Sequence, residues 1–383
     1  MTSGMSMTKA AMSDGIARTL AQFHEGKPAA LARAVSIVEN HRSGFERILA
    51  DVHPRLGRAR RVGITGPPGA GKSTLTTRLA RWYRDQGLRV GIVAVDPTSP
   101  FTGGALLGDR IRMEEIALDP GVFIRSMATR GSLGGLATAT REVCDVLDGF
   151  GMDVILIETV GVGQSELDVA RAADTTLVVL VPESGDSIQT LKAGVMEIAD
   201  VFTVNKADRP GADRLRNDIE LMLGLRTGGA HPAPAHHGVD LRSLTSADRD
   251  AFRDAMNPAR AARAAAQAEA PEQWTPPVLR SVAAQNEGVP EIADAVERHV
   301  RYLERSGELR ARRRARLRER VMEIVEEQVR RRLWQDASTI AWLDAQLDAM
   351  ETGAMVPFAV ADALRARSSE LLTGASFAPQ QDG

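Results

Sequence analysis

The chain has 383 residues, of which 43% are hydrophobic, and a formal net charge of −2 at pH 7. That length allows one large core with helical attachments or two modest domains, and the charge gives no whole-chain attraction to nucleic acid or membrane. The single cysteine, Cys144, excludes an intramolecular disulfide and a metal cage built of cysteines. Because we find no apolar leader segment and no run of about 20 apolar residues, we expect a cytoplasmic protein.

Three zones follow one another along the chain. Residues 1–58 lack strand-like runs and space their apolar residues as short amphipathic helices do. Residues 59–300 alternate short apolar segments with helical ones, which is typical of an α/β fold with a mostly parallel, doubly wound sheet. Residues 301–383 are charged, arginine-rich and helical in period. Within the middle zone, the composition of residues 224–276 predicts a long exposed insertion rich in Ala, Pro, Gly and His.

The apolar segments of the middle zone predict seven strands. In chain order they are RRVGIT, RVGIVAV, VFIRSM, DVILIE, TTLVVLV, VFTVN and PVLRSV.

The first predicted strand runs into a glycine-rich stretch that satisfies the pattern G-x-x-x-x-G-K-[ST]. Leu75, Leu79 and Trp82 follow at helical spacing, so strand, loop and helix come in the order that a phosphate-binding loop requires. In such a loop, backbone N–H groups bind phosphate, Lys72 reaches the β- and γ-phosphates, and the hydroxyl of Ser73 ligates Mg²⁺. The predicted nucleotide-binding residues here are Gly66, Pro67, Pro68, Gly69, Ala70, Gly71, Lys72, Ser73 and Thr74.

A second motif, Asn205-Lys206-Ala207-Asp208, follows the strand VFTVN and predicts that the base is guanine. The carboxylate of Asp208 can accept two hydrogen bonds, from the ring N–H and from the exocyclic amine of guanine, whereas adenine offers no such pair. The stem of Lys206 can lie along the face of the base. After the last strand, Val282, Ala283 and Ala284 are predicted to complete the base pocket, with the backbone N–H of Ala283 as the contact.

Acidic residues end two of the predicted strands. Glu158 ends DVILIE, which lies in the sequence between the phosphate-loop motif and the base motif. We therefore expect Glu158 to hold Mg²⁺ or its waters. The alternative is a structural acid that caps a neighbouring helix. Asp96 ends the second strand in the same way. Behind Glu158, the backbone N–H of Gly161 is placed to meet the γ-phosphate, in a glycine-containing loop that triphosphate would order.

Six stretches that span residues 62–208 almost continuously resemble the MeaB/ArgK-type GTPases, the family that includes the methylmalonic aciduria type A protein. They are GITGPPGAGKSTL, VAVDPTSPFTGGALLGDRIRM, RSMATRGSLGGLA, LIETVGVGQSE, GDSIQTLKAGVMEIAD and VNKAD. The resemblance implies a homodimeric, Mg²⁺-dependent GTPase that chaperones an adenosylcobalamin-dependent acyl-CoA mutase, with methylmalonyl-CoA mutase as the default partner. It further implies gated loading of intact cofactor, help in replacing damaged cofactor, and a C-terminal helical dimerisation region.

The resemblance also assigns roles to residues in two switches. Asp96 and Asp109 correspond to acids near Mg²⁺ in the first switch, so Lys72, Asp96, Asp109, Glu158 and Gly161 form the expected catalytic set. Asp186, Gln189 and Lys192 correspond to polar positions of a third switch that couples the nucleotide to the mutase. Without the family, Asp186 and Lys192 would read equally well as an exposed pair at a helix start. Two positions depart from the family pattern, namely Glu183 for the usual Gly and Val282 for the usual Ser.

Two further patterns have alternative interpretations. The stretch RARRRARLRER could be a helix that binds nucleic acid or membrane, but an apolar stripe at Leu317, Val321, Ile324 and Val325 favours a solvated helix of a dimerisation arm. Three histidines in the insertion, His231, His236 and His237, could bind a metal, yet they lack paired cysteines and ordered spacing.

Two other functions remain open from the sequence. A metallochaperone-type GTPase would need a Cys/His cluster, which one cysteine does not favour. A kinase that acts on an amino-acid transport component would need a second pocket for its acceptor. For a GTPase we expect slow intrinsic turnover, because no arginine or glutamine can be assigned to the attacking water.

Overall fold

A computed structural model describes residues 3–96, 113–128, 135–159, 165–182, 193–226 and 273–373. The chain divides into two compact units, Met1–Leu309 and Arg310–Gly383. Most of the predicted insertion, residues 227–272, lies outside the described residues, as do the three histidines within it.

The first unit is built on a seven-stranded sheet in which every pair of neighbouring strands is parallel. The strands are β1 (Arg60–Thr65), β2 (Val90–Asp96), β3 (Val122–Ala128), β4 (Val154–Thr159), β5 (Thr175–Leu180), β6 (Val201–Asn205) and β7 (Val278–Ser281), and their order in the sheet is β3-β2-β4-β1-β5-β6-β7. All seven predicted strands are present. The prediction of a doubly wound α/β fold is confirmed.

Helices precede the sheet, connect its strands and follow it. The first unit contains α1 (Ser3–His24), α2 (Pro28–Glu39), α3 (Phe45–Val52), α4 (Lys72–Asp85), α5 (Glu114–Ala117), α6 (Gly135–Phe150), α7 (Ser165–Ala172), α8 (Ala193–Ile198), α9 (Ala212–Arg226) and α10 (Val289–Ser306). The helix α11 (Glu308–Trp334) begins at the end of this unit, and α12 (Ala337–Asp344), α13 (Leu347–Glu351) and α14 (Pro357–Thr373) lie in the second unit.

Alternating side chains of the central strands enter separate cores on the two faces of the sheet. Ile155 and Ile157 of β4 belong to a core that contains α6 and the N-terminal helices. Val154 and Leu156, one residue out of phase, belong to the core that contains α4 and α10. Strands buried on both faces in this way require the near-continuous apolar runs that the sequence shows. The sheet is therefore covered on both sides, and its functional side chains lie at the strand ends.

A carboxylate of α6, Asp148, holds the segment that leads into β1. Asp148 accepts hydrogen bonds from the backbone N–H groups of Gly57 (2.8 Å) and Ala59 (3.0 Å), in the segment that leads into β1. It also pairs with the guanidinium of Arg61 at 3.3 Å. Burial alone would disfavour the charged form of Arg61. The neighbouring carboxylates of Asp145 and Asp148 outweigh this effect and raise the pKa of Arg61 above its ordinary value. The entry into β1 is thus held at a fixed place on α6.

The second unit is helical throughout its described part, and its first helix carries no buried residue. The side chain of Asp336 caps α12 by accepting a hydrogen bond from the N–H of Thr339 at 2.8 Å. Among the described residues of the whole chain, no helix is long and apolar enough to cross a membrane.

Candidate nucleotide-binding site

The carboxyl ends of the central strands bring the predicted phosphate and metal residues to one edge of the sheet. In the register of the sheet, Glu158 on β4 lies opposite Ile64 of β1 on one side and opposite Ala94 of β2 on the other. The phosphate loop follows β1 directly, and Asp96 ends β2. This edge is where a doubly wound sheet binds its ligand.

Two glycines of the phosphate loop stand where a side chain cannot fit. Gly66 has φ +139°, and a Cβ there would lie 2.0 Å from the carbonyl oxygen of Val179. Gly71 has φ +87°, and its Cβ would lie 2.4 Å from the Nδ2 of Asn205. The loop therefore needs glycine both for its backbone conformation and for its close contacts with the neighbouring strands.

The side chains at the start of α4 converge on the loop and on β4. Lys72 is 5% exposed, and its ammonium donates to the carbonyl oxygens of Gly66 (2.8 Å) and Pro67 (2.9 Å). The hydroxyl of Ser73 donates to Oε1 of Glu158 at 2.5 Å. The carboxylate of Glu158 thus meets the serine of the phosphate loop at the start of α4, and its role toward Mg²⁺ stays a prediction.

A buried pair of hydroxyls links the ends of the two central strands. Thr159 Oγ1 donates to Thr65 Oγ1 at 3.0 Å, and both residues are fully buried. Thr65 immediately precedes the phosphate loop, and Thr159 immediately follows Glu158. The pair therefore fixes the spacing between the loop and the carboxylate, and no motif in the sequence indicates it.

Asn205 connects the phosphate loop to the predicted base pocket. Its side chain is 3% exposed, and Nδ2 donates to the carbonyl oxygen of Ala70 at 2.8 Å. Its Oδ1 accepts from the backbone N–H of Ala283 (3.0 Å) and from the hydroxyl of Ser281 (3.2 Å). The predicted nucleotide contact of Asn205 stays a prediction, and in the structure its amide joins the end of β6 to the phosphate loop and to residues 281–283.

The rest of the predicted base pocket lies around the same amide. Lys206 adopts a left-handed backbone conformation with φ +55°. Asp208, two residues later, is exposed to solvent. Ala283 is buried, and its predicted base-contacting N–H donates to Asn205, so a guanine oxygen there would share or displace an existing hydrogen bond. The N–H of Val282 donates to the carbonyl of Glu287, while Ala284 is exposed.

Several predicted residues lie outside the described part of the chain. These are Asp109 of the first switch, Gly161 behind Glu158, and Glu183, Asp186, Gln189 and Lys192 of the third switch; of Asp96, only the backbone is described. Their roles stay predictions. Within the described ranges, no group of three or more His, Cys, Asp or Glu side chains is arranged to hold a metal ion.

Replacing Asn205 by Ala is expected to lower the free energy of unfolding by about 2–4 kcal/mol, because three buried polar groups, in the phosphate loop and in residues 281–283, lose their partner. Ser281→Ala removes only one hydroxyl of the same cluster and is expected to cost about 1 kcal/mol. Urea denaturation of both variants measures the difference. Equal costs for the two substitutions would contradict the connecting role of Asn205.

Known proteins of similar sequence show which family the chain belongs to. The sequence model of the family described as methylmalonyl-CoA mutase-associated GTPase MeaB matches residues 31–338. The chain belongs to the MeaB family of GTPases. This membership confirms both the predicted resemblance and the predicted GTPase, and it agrees with a guanine nucleotide at the site.

Individual relatives agree with the family match. A Pyrococcus abyssi protein named as a GTPase is 47% identical over 293 residues, which cover 76% of this chain and 78% of the relative. The mouse protein named methylmalonic aciduria type A homolog, mitochondrial, is 32% identical over 358 residues. These cover 89% of this chain and 76% of the mouse protein. The Escherichia coli GTPase ArgK is 40% identical over 197 residues, which cover 50% of this chain and 60% of ArgK.

A solved structure supports the fold. The crystal structure of a protein described as LAO/AO transport system kinase superposes with a TM-score of 0.59 at 24% identity, covering 92% of this chain and 97% of the other. At that identity, the likeness supports the shared architecture alone.

Proposed function

We propose that this MeaB-family GTPase is a chaperone for an adenosylcobalamin-dependent acyl-CoA mutase, that it uses Mg²⁺, and that it acts as a homodimer. The observation that carries the hydrolytic part is the contact between Ser73 and Glu158 beside the buried ammonium of Lys72. The mutase part rests on the family description and on the name of the mouse relative.

The residues of the site support phosphoryl transfer from GTP to water by positioning and electrostatics. Backbone N–H groups of the phosphate loop and the N-terminus of α4 bind the phosphate oxygens. The ammonium of Lys72, at the first position of α4, exchanges its contacts with the loop carbonyls for contacts with phosphate as charge develops there. Asp208 reads the base, and Asn205 holds the base pocket and the phosphate loop at a fixed spacing.

The donor atoms present fit a magnesium ion. Mg²⁺ prefers oxygen ligands and keeps several of its waters. Ser73 Oγ and Glu158 Oε1 supply two such oxygens 2.5 Å apart, next to the loop that would bind the phosphates. When bound, the ion neutralises charge on the β- and γ-phosphates. Glu158 and Ser73 are the residues that would hold it or its waters, with Asp96 at the end of the neighbouring strand.

Glu158→Gln is expected to reduce GTP turnover by about 10²-fold and to raise the Mg²⁺ concentration needed for half-maximal rate, since the amide keeps an oxygen for Ser73 but loses the charge. A Mg²⁺ titration of the steady-state rate measures this effect. Glu115→Gln, an exposed carboxylate that pairs with Arg78, is the matched control. An unchanged Mg²⁺ requirement in Glu158→Gln would assign the carboxylate a structural role.

The mutase partner is tested by complex formation. We expect the chain to co-elute with methylmalonyl-CoA mutase in size-exclusion chromatography, and the elution position of the complex to differ between GDP and a non-hydrolysable GTP analogue. Isobutyryl-CoA and ethylmalonyl-CoA mutases serve as alternative partners in the same experiment. Failure of every mutase to co-elute in either nucleotide state would contradict the chaperone proposal while leaving the GTPase itself untouched.

The homodimer is supported by the surface of α11. Leu317, Val321, Ile324 and Val325 are 38–60% exposed and recur at helical spacing along one side of the helix. A second copy of the chain would bury this stripe, since exposed apolar patches of this kind mark sites of protein–protein contact. We expect Val321→Glu with Val325→Glu to halve the mass measured by light scattering. Ala315→Glu with Met322→Glu, on another side of α11, should leave the mass unchanged; a monomeric wild type would contradict the proposal.

A further inference from the structure

A cavity far from the nucleotide motifs in the sequence lies between α1, α2 and the turn that leads into α3. Its volume is about 660 Å³, which is within the range of small-molecule sites. Arg18 of α1, Arg33 of α2 and Arg42 of the turn all line it. Neither the GTPase chemistry nor the proposed partner accounts for this cavity.

The three arginines carry charge that nothing in the described structure balances. None of the three side chains has an ion pair or a hydrogen bond within the described residues, and no acidic side chain is among those that line the cavity. Other charged groups in and beside these helices are paired, for example Lys27 with Glu25 between α1 and α2, and Glu39 of α2 with Arg125 of β3. Three like charges around one cavity repel each other, so an anion bound between them would be stabilised.

The walls of the cavity are fixed by packing. Ile16 of α1 is buried, and a Cβ added to Gly44 would lie 2.8 Å from its Cγ1, so the helix packs directly against the turn that carries Arg42. Ile37 of α2 is half-buried at the side of the same cavity. Gln22 and Ser43 add polar side chains to the lining. The guanidinium groups are thus mounted on a rigid scaffold with a small apolar surface beside them.

We infer that this cavity binds a small organic molecule that carries two or more phosphates. Planar guanidinium groups bind phosphate oxygens through paired hydrogen bonds. Each phosphate monoester carries a charge of about −1.5 to −2 at pH 7. Two phosphates therefore balance the positive charge of three arginines within a small volume, whereas one carboxylate carries too little charge to do so. The inference is independent of the proposed mutase partner.

Isothermal titration calorimetry tests the site on full-length protein saturated with GDP and Mg²⁺, so that the phosphate loop is already filled. Fructose 1,6-bisphosphate is the phosphate probe, and propane-1,2,3-tricarboxylate is the carboxylate probe. We expect one bisphosphate per chain with a Kd of about 1 mM or below, and at least tenfold weaker binding to the variant R18Q/R33Q/R42Q. The matched control R58Q/R298Q/R301Q removes three exposed arginines elsewhere and should bind as the wild type does.

Three results would overturn the inference. They are no bisphosphate binding to the wild type, equal weakening in both triple variants, and tighter binding of the tricarboxylate than of the bisphosphate. Because all six substituted arginines are exposed, both variants should fold, and unchanged GDP affinity verifies it. A loss of GTP turnover or of mutase binding would bear on the proposed function and would leave this test unaffected.

Discussion

Asp208→Asn is expected to change the base preference of the enzyme from guanine to xanthine. In the proposed base pocket, the carboxylate of Asp208 would accept two hydrogen bonds from guanine. An asparagine amide instead offers one acceptor and one donor, which match the ring N–H and the carbonyl of xanthine. Loss of matched polar contacts in a base pocket costs about 10⁴-fold when the site is buried. Since Asp208 is exposed here, we expect kcat/KM for GTP to fall by about 10²–10³-fold, with a comparable gain for XTP.

The measurement compares steady-state kcat/KM for GTP, XTP and ATP in the wild type and the variant. Asp218→Asn on α9 makes the same chemical change at a residue paired with Arg214 and should leave all three values unchanged. If Asp208→Asn lowered the rate for GTP without raising the rate for XTP, the residue would not be the base-reading group.

Lys72→Ala is expected to lower GTP turnover by about 10²–10³-fold, because it removes the positive charge that we propose stabilises the negative charge developing on the phosphates. GTP affinity is expected to fall as well, since the ammonium also ties the carbonyls of Gly66 and Pro67 together within the loop. Single-turnover kinetics separate the chemical step from binding.

The control for Lys72 is Lys27→Ala, which removes an exposed lysine that pairs only with Glu25 among the described residues. Thermal unfolding of both variants checks that the fold is kept. A Lys72→Ala enzyme that retained wild-type single-turnover rates would contradict the role of Lys72 in the reaction.

The sheet could be predicted from the sequence because its signal is local. The parallel strands β4, β5 and β6 are buried on both faces, so each forms a short apolar run, and the connecting helices repeat at their own period. Helix α4 shows how far this extends. Leu75 and Leu79 are buried as predicted and Trp82 is partly buried, but Tyr83 is buried more completely, because it continues the i, i+4 row of the two leucines.

The connections between motifs could not be predicted, because they depend on which strands are neighbours. The contact of Asn205 with Ala70 exists since β5 alone separates β1 from β6 in the sheet. The pair of Thr65 and Thr159 likewise requires β1 to lie beside β4. A motif reports the residues near one strand end, whereas strand order is a property of the assembled sheet.

The arginines of the α1–α2 cavity show a second reason why a site cannot be predicted from the sequence. Arg18, Arg33 and Arg42 have no shared motif and no regular spacing in the sequence. Only the packing of two helices and a turn brings them around one cavity. In sequence terms, each reads as an ordinary solvated residue of an amphipathic helix or turn.

We propose that nucleotide hydrolysis at this site serves a mutase, and the rate of GTP turnover is the quantity that decides it. The purified chain is assayed alone and with methylmalonyl-CoA mutase, each with and without adenosylcobalamin. We expect slow turnover by the chain alone and at least a several-fold stimulation by the mutase, absent in Lys72→Ala. Fast turnover by the isolated chain, with no change on adding any acyl-CoA mutase, would contradict the claim.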